Sequence, residues 1–149
     1  MSERRLAEAR RWFQQASHDL KAVRWNIQGG FHDTAAFLAQ QAGEKALKSV
    51  LYFTGARRSA LLTHSLVEMI QEAGKKVEGV TDLVEDARIL DLHYIPSRYP
   101  NGLPSGYPPQ FYGRETAERA MQAAERILDV IAIHYRAQSA VSIIQEDEP

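Results

Sequence analysis

Cysteine is absent from the 149-residue chain, which excludes disulfide bonds and thiolate-ligated metal sites. Long apolar runs are absent too, because no stretch approaches the roughly 18 uncharged apolar residues that a membrane-spanning helix needs. The N-terminal segment carries charges every few residues and lacks the apolar core of a signal peptide. We therefore expect a cytoplasmic protein with no membrane span.

Sequence motifs of several enzyme classes are also missing. The chain has no glycine-rich phosphate loop of the P-loop or dinucleotide type, and no G-x-S-x-G nucleophile elbow. None of the five histidines follows a glutamate by three positions or another histidine by four, which are spacings used by helical metal sites. We predict no metal ion and no cofactor. The net charge of −1 means that any attraction to nucleic acid must come from a local patch.

The composition, with 44% apolar and 25% charged residues, is that of one globular domain. Apolar residues recur every three or four positions in five segments, and no segment reads as a strand. The predicted fold is all-α, an up-and-down bundle of about five helices. Residues 1–140 form the bundle, and residues 141–149 form an acidic, flexible tail. The predicted helices cover residues 4–28, about 34–54, 65–73, 81–94 and 114–135.

Residues at the ends of these segments supply start and stop signals. Asp33 or Thr34 can cap the second helix. Ser65 and Glu68 match a capping box at the start of the third. Pro96 prevents the fourth helix from continuing, because proline has no N–H to donate.

A long loop separates the fourth and fifth predicted helices. Residues 95–113 contain five of the six prolines in the chain. Loops of this length are uncommon in compact domains and are usually functional or disordered. Disordered segments are poor in aromatic residues, so we expect this proline- and tyrosine-rich loop to pack against the bundle. Its aromatic residues are Tyr99, Tyr107, Phe111 and Tyr112.

Four segments, taken in order, resemble the HEPN domain, a helical bundle found in many prokaryotic proteins. The resemblance covers roughly residues 6–135. It rests on the ordered series more than on any one piece. The segments read WFQQASHDLKAV, FHDTAAFLAQQAGEKALKSVL, THSLVEMI and LDLHYIPSRYP.

The resemblance implies a homodimer with a polar cleft between the subunits. Many HEPN domains are metal-independent ribonucleases with an R-x(4–6)-H motif, and Arg88 and His93 match that spacing. Others accompany a small nucleotidyltransferase in a two-gene toxin–antitoxin module. Tyr94 and Arg98 match a tyrosine–arginine pattern of the smaller, stand-alone members. The function implied is that of a nucleotide- or RNA-binding protein that acts with a nucleotidyltransferase partner.

The proposed catalytic pair, Arg88 and His93, departs from the ribonuclease pattern in one position. Ile89 follows the arginine, where ribonuclease members usually have a polar residue. Two residues five apart on a helix also point about 140° apart. A common site therefore requires the helix end to loosen near Pro96 or a second subunit to contribute. Otherwise the arginine faces solvent, and the histidine sits at a helix C-terminus, where the dipole favours it.

The candidate ligand-binding residues are Asp91, Tyr94, Arg98 and Tyr99. In this interpretation Arg98 clamps a phosphate and the tyrosines stack on a base. The alternative is that Arg98 anchors the loop by pairing with a bundle carboxylate such as Asp91 or Glu44. His64 reads as a helix-start residue. The polar residues interpreted as a solvated face of the second helix are Gln40, Gln41, Glu44 and Lys45.

Three function classes remain open from the sequence. The first is a nucleotide- or RNA-binding protein with a nucleotidyltransferase partner. The second is a ribonuclease, in which His93 takes the 2′-hydroxyl proton, Arg88 or Arg98 stabilises the phosphate, and Asp91 orients one of them. The third is a structural interaction module. Growth arrest relieved by a neighbouring nucleotidyltransferase gene would separate the first two from the third, and His93→Ala would separate the first from the second.

Overall fold

The structure is a computed structural model that describes residues 2–146. Within these residues it contains seven α-helices and no strand, which confirms the all-α prediction. The helices are α1 Glu3–Gln28, α2 His32–Thr54, α3 Arg58–Leu62, α4 Leu66–Ala73, α5 Val84–Asp91, α6 Pro108–Phe111 and α7 Arg114–Ala137. Short 3₁₀ turns occupy Val80–Leu83, Pro100–Gly102 and Val141–Ile143.

Helix α2 is the centre of the bundle, and α1, α4, α5 and α7 all pack against it. Small residues allow these close approaches, since alanines face the neighbouring helices along most of α2. Gly43 marks the tightest point. A Cβ atom there would lie 2.8 Å from a methyl of Leu90 and 2.9 Å from a methyl of Leu66. Only glycine therefore fits at this crossing without a shift of its neighbours.

The core is formed by apolar side chains of α1, α2, α4, α5 and α7 and includes one buried hydroxyl pair. Ser49 donates a hydrogen bond to the Ala9 carbonyl oxygen at 2.6 Å. Its oxygen also lies 2.7 Å from the Tyr135 hydroxyl. Burial raises the pKa of Tyr135 well above its usual value, so the phenol stays protonated. The two hydroxyls join α1, α2 and α7 by directional hydrogen bonds inside the core.

The predicted fourth helix is too long at its C-terminal end. It was expected to reach Tyr94, but α5 ends at Asp91. The Leu92 N–H still bonds back four residues, to the Arg88 carbonyl oxygen at 3.4 Å, but the His93 N–H bonds back only three, to the Leu90 carbonyl oxygen at 2.9 Å. Pro96 offers no N–H to extend the ladder. The chain therefore leaves the helix one turn early and presents residues 92–99 as a tight turn.

Helix starts follow the sequence signals only in part. The Ser65 cap is confirmed, because its hydroxyl accepts a hydrogen bond from the Glu68 N–H at 3.3 Å. The second half of the predicted capping box is wrong, since the Ser65 N–H donates to the Thr63 hydroxyl at 3.1 Å and not to Glu68. The predicted cap of α2 is wrong, since the helix begins at His32 with Phe31 at the N-cap and no side-chain cap. The long loop contains two short helical pieces, of which α6 is one.

Part of the predicted C-terminal tail lies on the bundle. Residues 141–143 form a 3₁₀ turn that contacts α1, and Ile143 is buried. The described bundle thus continues beyond residue 140. The rest of the predicted tail, residues 147–149, lies outside the described residues. No helix of the described part is long and apolar enough to span a bilayer.

Candidate functional site

The Arg98 side chain lies among three aromatic rings. Its guanidinium carbon is 4.4 Å from the ring centroid of Phe37, 4.8 Å from that of Tyr94 and 4.9 Å from that of Tyr99. Cation–π contacts act at these distances. We call these four residues the Arg98 cluster. It joins the turn after α5 to the first half of α2, and Tyr99 at its edge is 49% exposed.

The local backbone holds the arginine in place. The Arg98 and Tyr99 N–H groups donate to the Ile95 carbonyl oxygen at 3.0 and 3.2 Å. Pro96 and Pro100 flank this turn and restrict its dihedral angles. The Arg98 Nε atom donates to the Tyr94 carbonyl oxygen at 2.9 Å. The guanidinium is therefore ordered before any ligand arrives.

The terminal nitrogens of Arg98 have no protein acceptor within residues 2–146, and no carboxylate of that part pairs with it. The ion pair that would anchor the loop to Asp91 or Glu44 is therefore not formed. Both carboxylates have other partners. The arginine keeps a partly buried fork of donors, the arrangement that binds phosphate and carboxylate groups bidentately.

Asp91 is the last residue of α5, and its side chain reaches the start of α4 rather than the Arg98 cluster. Its carboxylate accepts hydrogen bonds from the N–H groups of Leu66 at 2.8 Å and Val67 at 3.2 Å. The Ser65 hydroxyl donates to the same group at 3.3 Å. A negative charge at a helix N-terminus satisfies free N–H groups and complements the helix dipole. Asp91 thus fixes the end of α5 to the start of α4.

His64 directly precedes Ser65, the N-cap of α4, as predicted, and its side chain also lies beside the Arg98 cluster. Its ring stacks on Tyr94, with centroids 5.2 Å apart and planes 19° apart. Its Nδ1 atom lies 3.1 Å from a Glu44 carboxylate oxygen. The other oxygen of that carboxylate lies 3.6 Å from the Lys48 ammonium. Sequence reasoning missed this link because its partners are 20 positions apart.

The interpretation of the polar α2 residues as a solvated face is wrong for two of them. Gln40 is fully buried and Glu44 is 4% exposed. The Gln41 amide donates to the Gln40 side-chain oxygen at 2.7 Å. Lys45 pairs with the buried Asp19 of α1 at 2.6 Å. Because other helices pack on both sides of α2, they cover polar side chains that a single amphipathic helix would expose to water.

Arg88 and His93 make no contact with each other. Arg88 pairs with Glu85 on the exposed face of α5. The His93 Nδ1 atom lies 2.9 Å from the Tyr112 hydroxyl. Burial lowers the His93 pKa. Burial and the charge of Asp33 raise the pKa of Tyr112 to about 12. His93 is therefore neutral near pH 7, which is the state that a general base requires.

His93 and Tyr94, which are adjacent in the sequence, thus lie on two different surfaces of the protein. Tyr94 contacts His64 and Arg98, whereas His93 contacts Tyr112 just before α7. The structure brings Tyr94, Arg98 and Tyr99 together and separates them from the two residues of the R-x(4–6)-H match.

Comparisons with known proteins agree on one family. Residues 9–134 match the sequence model of the HEPN domain. The chain is 28% identical over 130 residues to MJ1304 of Methanocaldococcus jannaschii, which is named as a toxin candidate; the match covers 83% of this chain and 85% of that protein. TT1696 from Thermus thermophilus is 35% identical in sequence, and its crystal structure superposes with a TM-score of 0.79. The match covers 85% of this chain and 98% of that one. ST0689, an archaeal HEPN homologue, is 31% identical, with a TM-score of 0.69 and coverage of 88% and 97%.

Proposed function

The chain belongs to the HEPN domain family, and we propose that it binds a nucleotide or RNA through the Arg98 cluster. In this proposal it acts with a small nucleotidyltransferase in a toxin–antitoxin-like module. The similarity to MJ1304, whose name describes a toxin candidate, supports the module.

The two terminal nitrogens of the Arg98 guanidinium carry the proposal, because they have no protein acceptor within residues 2–146. The Nε atom is bonded to the Tyr94 carbonyl oxygen, and terminal nitrogens held over aromatic rings offer two parallel donors to phosphate oxygens. The half-exposed ring of Tyr99 offers a face on which a base can stack. Ligands that carry both a phosphate and a base suit this combination better than a bare anion does.

The expected assembly is a homodimer that presents two Arg98 clusters. Closed two-fold dimers are the most frequent soluble oligomers, and the HEPN family resemblance favours the same state. Exposed apolar side chains of the turn that carries the cluster, such as Ile95, are candidates for such an interface. Light scattering at micromolar concentration should give twice the chain mass of 16.8 kDa. A mass near 16.8 kDa would contradict the dimer.

Arg98→Lys tests the proposed function. The substitution keeps the charge and removes the bidentate fork. Because one charge-assisted hydrogen bond contributes about 1.5–3 kcal/mol, we expect calorimetry to show affinity for ATP or a short single-stranded RNA weakened about tenfold or more. The melting temperature should change little. The matched control is Arg136→Lys, since Arg136 is exposed at the far end of α7 and should retain wild-type affinity.

The opposite pattern would point to architecture. If Arg98→Lys lowers the melting temperature and leaves ligand affinity unaltered, then Arg98 anchors the loop and the binding proposal is wrong. Wild-type protein that binds neither ATP nor RNA would also defeat it.

A metal-independent ribonuclease is the second candidate function. The feature that favours it is the partly buried His93 imidazole, whose pKa is lowered by burial, because cleavage needs a base for the 2′-hydroxyl proton. In that case His93→Ala should abolish RNA cleavage measured in the presence of a chelator and leave RNA binding intact. Cleavage that persists in the variant would exclude His93 as the base.

A further inference from the structure

We propose a second anion site, formed by His93, Thr116 and Arg119, that takes the phosphate group of a small phosphate ester. These three side chains line one surface cavity of about 170 Å³ between α5 and α7, together with Ile89 and Leu92. The cavity is separate from the Arg98 cluster, because His93 contacts Tyr112 and not the rings around Arg98.

The chemistry of the lining residues suits a phosphate. Arg119 is exposed, and within residues 2–146 it has no ion pair or hydrogen bond, so its donors are available. Thr116 supplies a hydroxyl that can donate to a phosphate oxygen. His93 supplies a ring whose Nδ1 atom is occupied by Tyr112 at 2.9 Å. Its second nitrogen is therefore the one available to a ligand.

The start of α7 supports the same ligand class. Thr116 lies in the first turn of this 24-residue helix, which has Gly113 at its N-cap and no side-chain cap. The free N–H groups and the positive end of the helix dipole at this end of α7 favour an anion bound nearby.

The size and the apolar wall limit what can bind. Pockets for drug-sized ligands are commonly about 300–1,000 Å³, so a cavity of about 170 Å³ accommodates a phosphate group rather than a whole nucleotide. Leu92 is 70% exposed beside it and offers an apolar shelf for the attached sugar or ring. A phosphate monoester such as AMP fits this description.

In this cavity Arg119 provides His93 with a neighbouring positive charge, which Arg88 of the R-x(4–6)-H match does not provide. Arg88 is engaged with Glu85, whereas Arg119 of α7 lines the same cavity as His93. We therefore assign Arg119, and not Arg88, as the cationic neighbour of His93 within one subunit.

The test is an NMR pH titration of the His93 ring in the full chain, with and without AMP, and with His93→Asn used to assign the resonance. A bound phosphate should raise the His93 pKa by about half a unit or more, because a nearby negative charge favours the imidazolium. Arg119→Gln and Thr116→Val should remove or reduce that rise. The control variant Arg136→Gln should retain it.

Three results would overturn the site. They are no AMP-dependent shift of His93 in the wild type, an undiminished shift in Arg119→Gln, or loss of the shift in Arg98→Lys. The last result would mean that AMP acts only from the Arg98 cluster. Because the wild-type shift of His93 and the affinity of Arg98→Lys are separate readouts, the two proposals can fail independently.

Discussion

Replacing Asp91 by alanine should destabilise the protein more than it affects ligand binding. The carboxylate accepts two backbone N–H bonds at the start of α4, at 2.8 and 3.2 Å, and a hydroxyl bond from Ser65. Loss of a helix cap typically costs about 0.5–2 kcal/mol, and hydrogen bonds to charged groups lie at the upper end of such contributions. We therefore expect a loss of about 2 kcal/mol in the free energy of unfolding.

Urea denaturation and thermal melting measure this directly. For a chain of about 150 residues, 1 kcal/mol corresponds to about 2–4 °C, so the melting temperature of Asp91→Ala should fall by about 4–8 °C. Asp91→Asn keeps one acceptor oxygen, so its melting temperature should lie between those of the wild type and Asp91→Ala. The control is Asp129→Ala on the exposed face of α7, for which a change within about 0.5 kcal/mol is expected.

The reasoning on Asp91 would be refuted by a stability loss below about 0.5 kcal/mol combined with weaker nucleotide binding. That pair of results would indicate that the Asp91 carboxylate belongs to the ligand site, as predicted from the sequence. Unchanged affinity in a clearly less stable Asp91→Ala protein would establish it as a helix cap.

Three further predictions concern packing and protonation. Gly43→Ala should cost about 1 kcal/mol in urea denaturation, because overpacking costs about 1–3 kcal/mol and the gain in helix propensity returns about 1 kcal/mol; a stabilised variant would contradict this. Tyr135→Phe should cost about 1 kcal/mol through loss of the bond to Ser49, and an unchanged melting temperature would contradict it. Burial lowers the His93 pKa, so the unfolded chain takes up more protons and stability should fall as the pH drops below the unfolded pKa of about 6.5. Denaturation between about pH 7 and about pH 5.5 should show this slope and a flatter one for His93→Gln, whereas identical slopes would contradict it.

The long helices were predictable because their signal is local. Apolar residues at three- and four-residue steps mark one buried stripe, as on α1 and α7, and such stripes require no knowledge of the partner helix. The same logic failed on α2, where Gln40 and Glu44 are buried. The sequence cannot show that neighbours cover both sides of one helix.

The site was predictable only in its loop. Two prolines around Arg98 and Tyr99 pointed to an ordered, polar turn, and the structure shows Tyr94 in contact with Arg98. The contacts of Asp91 with Leu66 and of Glu44 with His64 join residues 25 and 20 positions apart, and no local pattern encodes them.

The central claim, that the Arg98 cluster binds a phosphate- and base-bearing ligand, is tested most directly by observing the Arg98 side chain itself. The Nε–H group is already fixed by its bond to the Tyr94 carbonyl oxygen, so it should give a distinct NMR signal. Titration with ATP should shift that signal and the ring resonances of Tyr99 together, with one affinity. An Arg98 signal that stays unchanged while ATP saturates other residues would contradict the account.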